Sequence, residues 1–308
     1  MASFVPAVDN TDPAPVININ PSLTADQRQC VEQSVAQMIA RHREAITRRR
    51  ADEAEQLKPL RDANKALAER LANHPDAALV LEALRTNSRH LGGMPTGSPS
   101  LTSSSCSVTI ELREGLELFG LPFDFDWHWQ DSDGGNFAPR SVSRETGIAK
   151  IHAGISSAEG DATWITGHAG VGVVLSTETE VAAVGRALRS TKEKALATGG
   201  NFGSDATSEG GTEITVMRGD TFVTSATDKR WRLRCSGADP GYSHDNGGFG
   251  VGDPISVAWA MLPGSIYTLN VGAWVYAEAH AGFPLFTDYP GKAICDIEAN
   301  LPLVTLIR

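Results

Sequence analysis

Residues 123–135 read FDFDWHWQDSDGG. Successive side chains of an extended chain point to opposite faces, so Asp124, Asp126 and His128 share one face. Two carboxylates and an imidazole in a row are the oxygen and nitrogen donors a divalent metal ion takes. Same-face residues lie about 7 Å apart along a strand, so these three converge on one ion only if a neighbouring strand helps. The spacing therefore predicts a polar row facing solvent or a second subunit, with no bound metal and no cofactor. Phe123, Phe125, Trp127 and Trp129 take the opposite face and bury large aromatic area.

Two further rows invite chemistry. In KRWRLRCS, Arg230, Arg232 and Arg234 line one face and Trp231 and Leu233 the other. An acidic row and an Arg row of equal spacing are expected to pair across strands or across a subunit interface, each exposed pair contributing about a few tenths of a kcal/mol. By the same parity His168 shares a face with Trp164, and Trp274, Tyr276, Glu278 and His280 share another, opposite Leu269, Val271, Ala273 and Val275. Such a face stacks sugar rings, or it is covered by helices or a second subunit. The segment Asp131-Ser-Asp133-Gly-Gly-Asn136 fits no register of a calcium-binding EF-hand loop and reads as a turn. RGD at 218–220 falls where a strand turns and is too short to carry adhesion. The sequence holds no G-x-S-x-G, H-E-x-x-H, P-loop or C-x-x-C, and GHAGVGVV lacks the strand-turn-helix setting of a dinucleotide site. An enzyme is not expected, a metal-dependent hydrolase built on Asp124, Asp126 and His128 being the minor alternative.

The elements that must position these residues follow from punctuation and period. APVININP is a short strand stopped by Pro21, with nothing nearby in sequence to pair with. Thr24-Ala-Asp-Gln27 matches a capping box, and Val31, Val35, Met38 and His42 recur at helical spacing behind it. Pro59 is expected to break or restart the helix. Leu60, Leu67 and Leu71 form a second thin stripe, and Pro75 opens a third helix that ends at Gly92-Gly93. After the Gly/Pro/Ser/Thr stretch 92–107 comes a dozen period-two runs separated by Gly, Asp and Asn turns, of which STKEKALA alone tempts a helical reading. The predicted class is α+β: an extended arm (1–22), a module of two to three helices (23–91), a linker (92–107) and a large antiparallel β-sandwich, jelly-roll-like (108–308).

Charge divides along the same line. The 308 residues carry a net charge of −10; residues 24–93 hold 12 Lys/Arg against 10 Asp/Glu, and residues 94–308 hold 15 against 25. An acidic β region repels phosphate backbones, so no nucleic-acid partner is expected. MASFVPAVDNTDPAPV has no basic and apolar leader pattern, and no stretch is long and apolar enough to span a membrane as a helix. The expectation is a chain made in the cytoplasm or exported without a cleaved leader. Cys235 and Cys295 share strand parity with apolar neighbours and read as buried free thiols. The functional expectation is a self-assembling structural protein, a homo-oligomer or filament. Its interface would use the arm (Val16, Ile17, Ile19), the helical stripes (Val31, Val35, Met38, Leu60, Leu67, Leu71) and the Arg row. The alternative is a lectin-like or toxin-like module that engages glycans through the outer aromatic face.

Overall fold

The computed structural model describes residues 14–73, 115–133, 140–156, 162–199, 204–236, 241–251, 254–280 and 291–308. Strand β1 (Val16–Ile19) and helix α1 (Ala25–Ala72) come first, followed by β2 (Leu116–Phe119), β3 (Phe125–Ser132), β4 (Arg140–Ser143) and β5 (Ile148–Ser156). Then come β6 (Ala162–Ser176), β7 (Val181–Thr198), β8 (Asp205–Arg218) and β9 (Thr221–Ser236). The chain ends with β10 (Tyr242–Val251), β11 (Ile255–Met261), β12 (Ile266–His280) and β13 (Lys292–Ile307).

The fold is mostly antiparallel sheet with one helix. Sheet A has the order β1-β3-β6-β12-β8-β9; sheet B has the order β10-β7-β13-β5-β4, with β11 also on β7 and β2 also on β13. Consecutive strands from β5 to β8 alternate between the sheets, and buried side chains of both sheets meet in two clusters. One is built of small residues, among them Ala153, Ala195 and Ala299 of sheet B against Ala169, Ala273 and Ala277 of sheet A. The other is bulky, with Trp259, Met261 and Leu306 of sheet B against Val171, Ile214 and Leu269 of sheet A.

Several expectations need correction. Among the described residues there is one helix where two or three were expected. It begins as read, with the Thr24 amide donating to Gln27 Oε1 at 2.9 Å and the Gln27 amide to Thr24 Oγ1 at 3.3 Å. It then runs through Pro59 for 48 residues. Pro59 removes the amide that would bond the Glu55 carbonyl, but both residues are exposed, so the freed carbonyl costs little. Around them lie strong helix formers, and ion pairs Glu44–Arg48 and Arg49–Glu53 at 2.7 and 3.4 Å support the preceding turns. STKEKALA is part of β7, whose alternating burial turns Thr191, Glu193, Ala195 and Ala197 inward. Neighbours on both sides of the strand override its helical propensity. The VINI strand does have a partner, β3 of its own chain, in the register Ile17↔Trp127 and Ile19↔Phe125. The third helix, the linker and the Gly134–Asn136 part of the acidic turn lie outside the described residues.

The outer face of sheet A is shaped by glycine. Phe125 and Trp127 of β3 stand opposite Gly172 and Gly170 of β6, and Gly170 stands opposite Gly272 of β12. A Cβ at Gly172 would lie 2.2 Å from Phe125 Cζ, and one at Gly170 would lie 2.8 Å from Trp127 Cζ2. The bare backbone lets both rings lie flat across the neighbouring strands. Gly172→Ala is accordingly expected to lower the urea midpoint by an amount equivalent to about 1–3 kcal/mol of overpacking, while Gly248→Ala, where an added Cβ meets nothing within 4 Å, leaves it nearly unchanged. Equal midpoints for the two variants would show that the Phe125 ring is free to move away.

Candidate functional site beneath the long helix

Helix α1 sits on the aromatic shelf of β3. Val31, Val35, Met38 and Ile39 are buried with Phe125, Trp127 and Trp129, and Ile17, Ile19 and Leu23 pack at the margin. The arm and first-stripe residues expected at a subunit interface are therefore placed within the chain's own fold, Val16 alone of them being exposed, at 41%. Phe123 does not join the shelf. It precedes the first residue of β3, where period-two parity no longer holds, and its ring enters the bulky cluster between the sheets.

Past Ile39 the seam between α1 and sheet A turns from apolar to charged. Arg43 meets Asp131 at 3.1 Å, Arg49 meets Glu209 at 2.8 Å, and Arg50 reaches Asp133 at 3.5 Å and Glu278 at 3.7 Å. Glu209 is wholly buried and also receives Lys229 and Arg232 at 2.9 Å each. Burial alone would raise its pKa, but Arg49 and Lys229 outweigh burial and hold it below the usual carboxylate range.

The aromatic face expected to stack sugars comes together here, under the helix. Arg49 lies over the Tyr276 ring at 4.3 Å and Arg50 over the Trp164 ring at 5.1 Å, both cation–π contacts. Trp164 and Tyr276 stack at 6.5 Å. The Tyr276 hydroxyl donates to Glu278 Oε2 at 2.8 Å, and His280 Nε2 lies 3.0 Å from Glu278 Oε1. Burial pushes Glu278 up, but His280 and Tyr276 more than offset it and hold the carboxyl at about 2. Burial, then the Glu278 charge, pushes the Tyr276 phenol far above its ordinary value. Trp164, His168, Tyr276 and Glu278 are all buried.

What remains open is a cavity of about 210 Å³ lined by His42, Arg49, Thr166, His168, Glu213 and Trp274, among others. At its base His42 Nε2 lies 3.4 Å from Glu213 Oε2 and His168 Nδ1 lies 2.9 Å from Glu213 Oε1. The imidazoles face each other at 4.3 Å, and Trp129 stacks on His168 at 4.3 Å with 9° between planes. Burial, against the pull of Glu213, lowers the His42 pKa to about 4; burial lowers His168 to about 3; and burial raises Glu213. Both rings are neutral at physiological pH.

This group replaces the one expected on β3, and among the described residues it is the set of His, Cys, Asp and Glu side chains whose ligand atoms converge. Asp126 instead accepts Asn18 Nδ2 at 2.6 Å and the Arg144 amide at 2.9 Å, tying β1 and β4 to β3. Asp124 accepts the Val174 amide at 2.7 Å. Burial and then Arg140 lower the pKa of His128. The Arg row does not meet the acidic row, because β6, β12 and β8 separate β3 from β9. Nor does it keep one face. A register shift between Gly210↔Trp231 and Gly211↔Lys229 makes Arg230 the extra residue of a bulge, and it pairs with Glu193 of sheet B at 2.8 Å. Arg232 pairs with Glu209, and Arg234 is exposed. Leu60, Leu67 and Leu71 lie in α1, but their side chains are outside the described residues.

Sequence reasoning passed over His42, Glu213, Arg49 and Glu209. A histidine continuing the apolar stripe Val31, Val35, Met38 was the one local signal. Glu213 gives none, since in TEITVMR it looks like any outward strand residue.

No protein-family model matches the chain, and no curated protein matches it in sequence. Among solved structures, the Endo-D glycoside hydrolase domain of Streptococcus pneumoniae R6 is 14% identical over 59% of this chain and 22% of that one, with a TM-score of 0.21. An Arthrobacter globiformis T6 isomalto-dextranase is 9% identical over 61% and 36%, with a TM-score of 0.16. The tailspike protein 4 domain of bacteriophage CBA120 is 13% identical over 60% and 19%, with a TM-score of 0.15. The chain spans well under two thirds of each, and likenesses of this size carry no argument about fold or activity.

The buried carboxylates make the seam acid-sensitive. With its ordinary value at 4.5 and its folded value at about 2, Glu278 contributes stability that is complete above pH 4.5 and is lost as pH falls toward 2. Urea midpoints measured across that window are expected to drop more steeply for the wild type than for Glu278→Gln, which starts lower at pH 7. Parallel profiles would show that Glu278 is not the group responsible.

Proposed function

We propose that the protein is a self-associating structural component, a homodimer joined through the distal half of α1, with the two-sheet body carried at the base of that helix. The observation that supports this reading is the helix beyond its last ion pairs with sheet A. At 1.5 Å per residue, the 48 residues of α1 extend about 70 Å, yet among the described residues its ion pairs with sheet A end at Glu53, 3.8 Å from Arg232. Every described side chain from Ala54 to Arg70 is exposed. A helical stretch of that length is marginal alone in water and takes its stability from packing.

The sequence of this stretch supplies a stripe for a partner copy. Leu57, Leu60, Asn64, Leu67 and Leu71 are spaced 3-4-3-4, the a/d pattern of a coiled coil running over two heptads, with Asn64 at an a position. A single polar residue there sets register and the number of strands at some cost in stability. The expected interface thus moves from the arm and first stripe, which the chain covers itself, to the second stripe, of which Leu60, Leu67 and Leu71 are members.

The alternative, a glycan-binding module, is narrowed by the same geometry. Its aromatic face lies under Arg49 and Arg50 of α1, and the open space of about 210 Å³ is below the ~300–1,000 Å³ usual for ligand clefts. A small polar ligand bound against Trp274 is the form of that reading which still fits.

Light scattering on the full chain is expected to give the mass of a dimer, Leu60→Lys/Leu67→Lys to give a monomer with unchanged circular dichroism of the sheets, and Asn64→Leu to shift the oligomer order. A full chain that stays monomeric at every concentration would overturn the proposal.

A further inference from the structure

We propose that His42 Nε2, His168 Nδ1 and the Glu213 carboxylate form a binding site for one divalent first-row transition ion of the zinc class, set between α1 and sheet A. The site does not depend on the assembly reading above.

The donor geometry fits. The three ligand atoms all lie within 4.8 Å of one another, with Nε2–Oε2 at 3.4 Å and Nδ1–Oε1 at 2.9 Å. Bonds of about 2.0–2.1 Å to a tetrahedral ion place its ligands about 3.3 Å apart. Two histidines and a glutamate make a three-ligand set that leaves one position for water or a ligand. Room for it exists on both sides. The cavity of about 210 Å³ lies toward Trp274, and an adjoining one of about 160 Å³ lies toward Arg41 and Phe222; His42 and Glu213 line both.

Hydrogen bonding fixes the ligating tautomer of His168. The Thr166 hydroxyl donates its one hydrogen to the Val275 carbonyl at 2.8 Å, so toward His168 Nε2, 3.3 Å away, it can only accept. Nε2 therefore carries the proton, and Nδ1 points a bare lone pair at Glu213 Oε1. Two lone pairs at 2.9 Å repel unless something positive lies between them. That is either the proton of a carboxylic acid or a metal ion. Thr166 is placed as the outer-shell acceptor that orients a metal-bound imidazole, and Trp129 stacked on the ring holds its plane.

Charge points the same way. Glu213 is 4% exposed, and its ion-pair partners among the described residues are the two histidines, with no Lys or Arg among them. Glu209, four residues earlier on the same face of β8, has Arg49, Lys229 and Arg232; Glu193 has Arg230. The carboxylate without a fixed cation is the one facing two neutral imidazoles. One ligand comes from α1 and two from sheet A, so the ion fastens the helix to the sheet at the point where their seam turns from apolar to charged.

The test uses full-length protein stripped with a chelator and titrated with Co2+, then Zn2+. One equivalent of Co2+ is expected to bind, with a visible d–d band, quenching of tryptophan fluorescence through Trp129, displacement by Zn2+ and a rise in melting temperature, since an ion that binds only the folded state stabilises it. His42→Ala and Glu213→Gln are expected to lose the band and the quenching, while His152→Ala, at an exposed His on sheet B, keeps both. His42 is at the edge of the seam, its side chain 26% exposed, so that variant decides the matter even where Glu213→Gln fails to fold. No binding by the wild type, or binding that survives in His42→Ala, would overturn the proposal and leave Glu213 as a protonated donor to His168.

Discussion

Everything on the outer face of sheet A rests on aromatic rings lying across glycine. Phe125 and Trp127 occupy the space that side chains at Gly172 and Gly170 would fill, and with Trp129 they form the level apolar seat that receives Val31, Val35 and Met38. Each ring buries roughly 150–250 Å², far more than the thin stripe of α1 supplies. FDFDWHW is therefore a foundation for the helix, and its alternate acidic residues serve the backbone: Asp124 accepts the Val174 amide of β6 and Asp126 the Arg144 amide just after β4. Once the helix is seated, His42, Arg49 and Arg50 follow at fixed places along the sheet.

The charge split of the sequence is resolved within one chain. Basic residues of α1 meet acidic residues of sheet A at Asp131, Asp133, Glu209 and Glu278. The pairs at the buried Glu209 and Glu278 are not a large net source of stability, since desolvation offsets much of the attraction. Their physical consequence is position: a carboxylate under the helix with no cation is costly, so the helix is held where each Arg finds its acid. Glu213 departs from that pattern, which is why it draws attention as a ligand.

The edge of sheet A shows a related economy. β9 ends the strand order and carries Lys229, Arg232 and Arg234 in or beside exposed positions, a charge density that discourages pairing with another edge. The bulge at Arg230 turns one guanidinium toward Glu193 and so ties the edge strand to sheet B. Association through the β9 edge is disfavoured by these features.

The sequence by itself determined the local elements. Period-two alternation located most of the strands from FDFDWHW to LPLVTLI, β4 and the Gly-rich β10 excepted, the capping box fixed the start of α1, and the parity of Trp274, Tyr276, Glu278 and His280 placed them on one face, because these features depend on residues a few positions apart. Parity also marked Cys235 and Cys295 as core thiols, and both are buried and free. Only the tertiary structure decided what those faces meet. That β1 pairs with its own β3, that STKEKALA is a strand, and that the Arg row breaks at a bulge are settled by strand neighbours distant in sequence. His42, His168 and Glu213 come from three elements, separated by 126 and 45 positions in the chain, and no local period relates them. Their convergence exists because the aromatic shelf seats α1 at one height over β6 and β8, a constraint that packing imposes and that spacing along the chain does not contain.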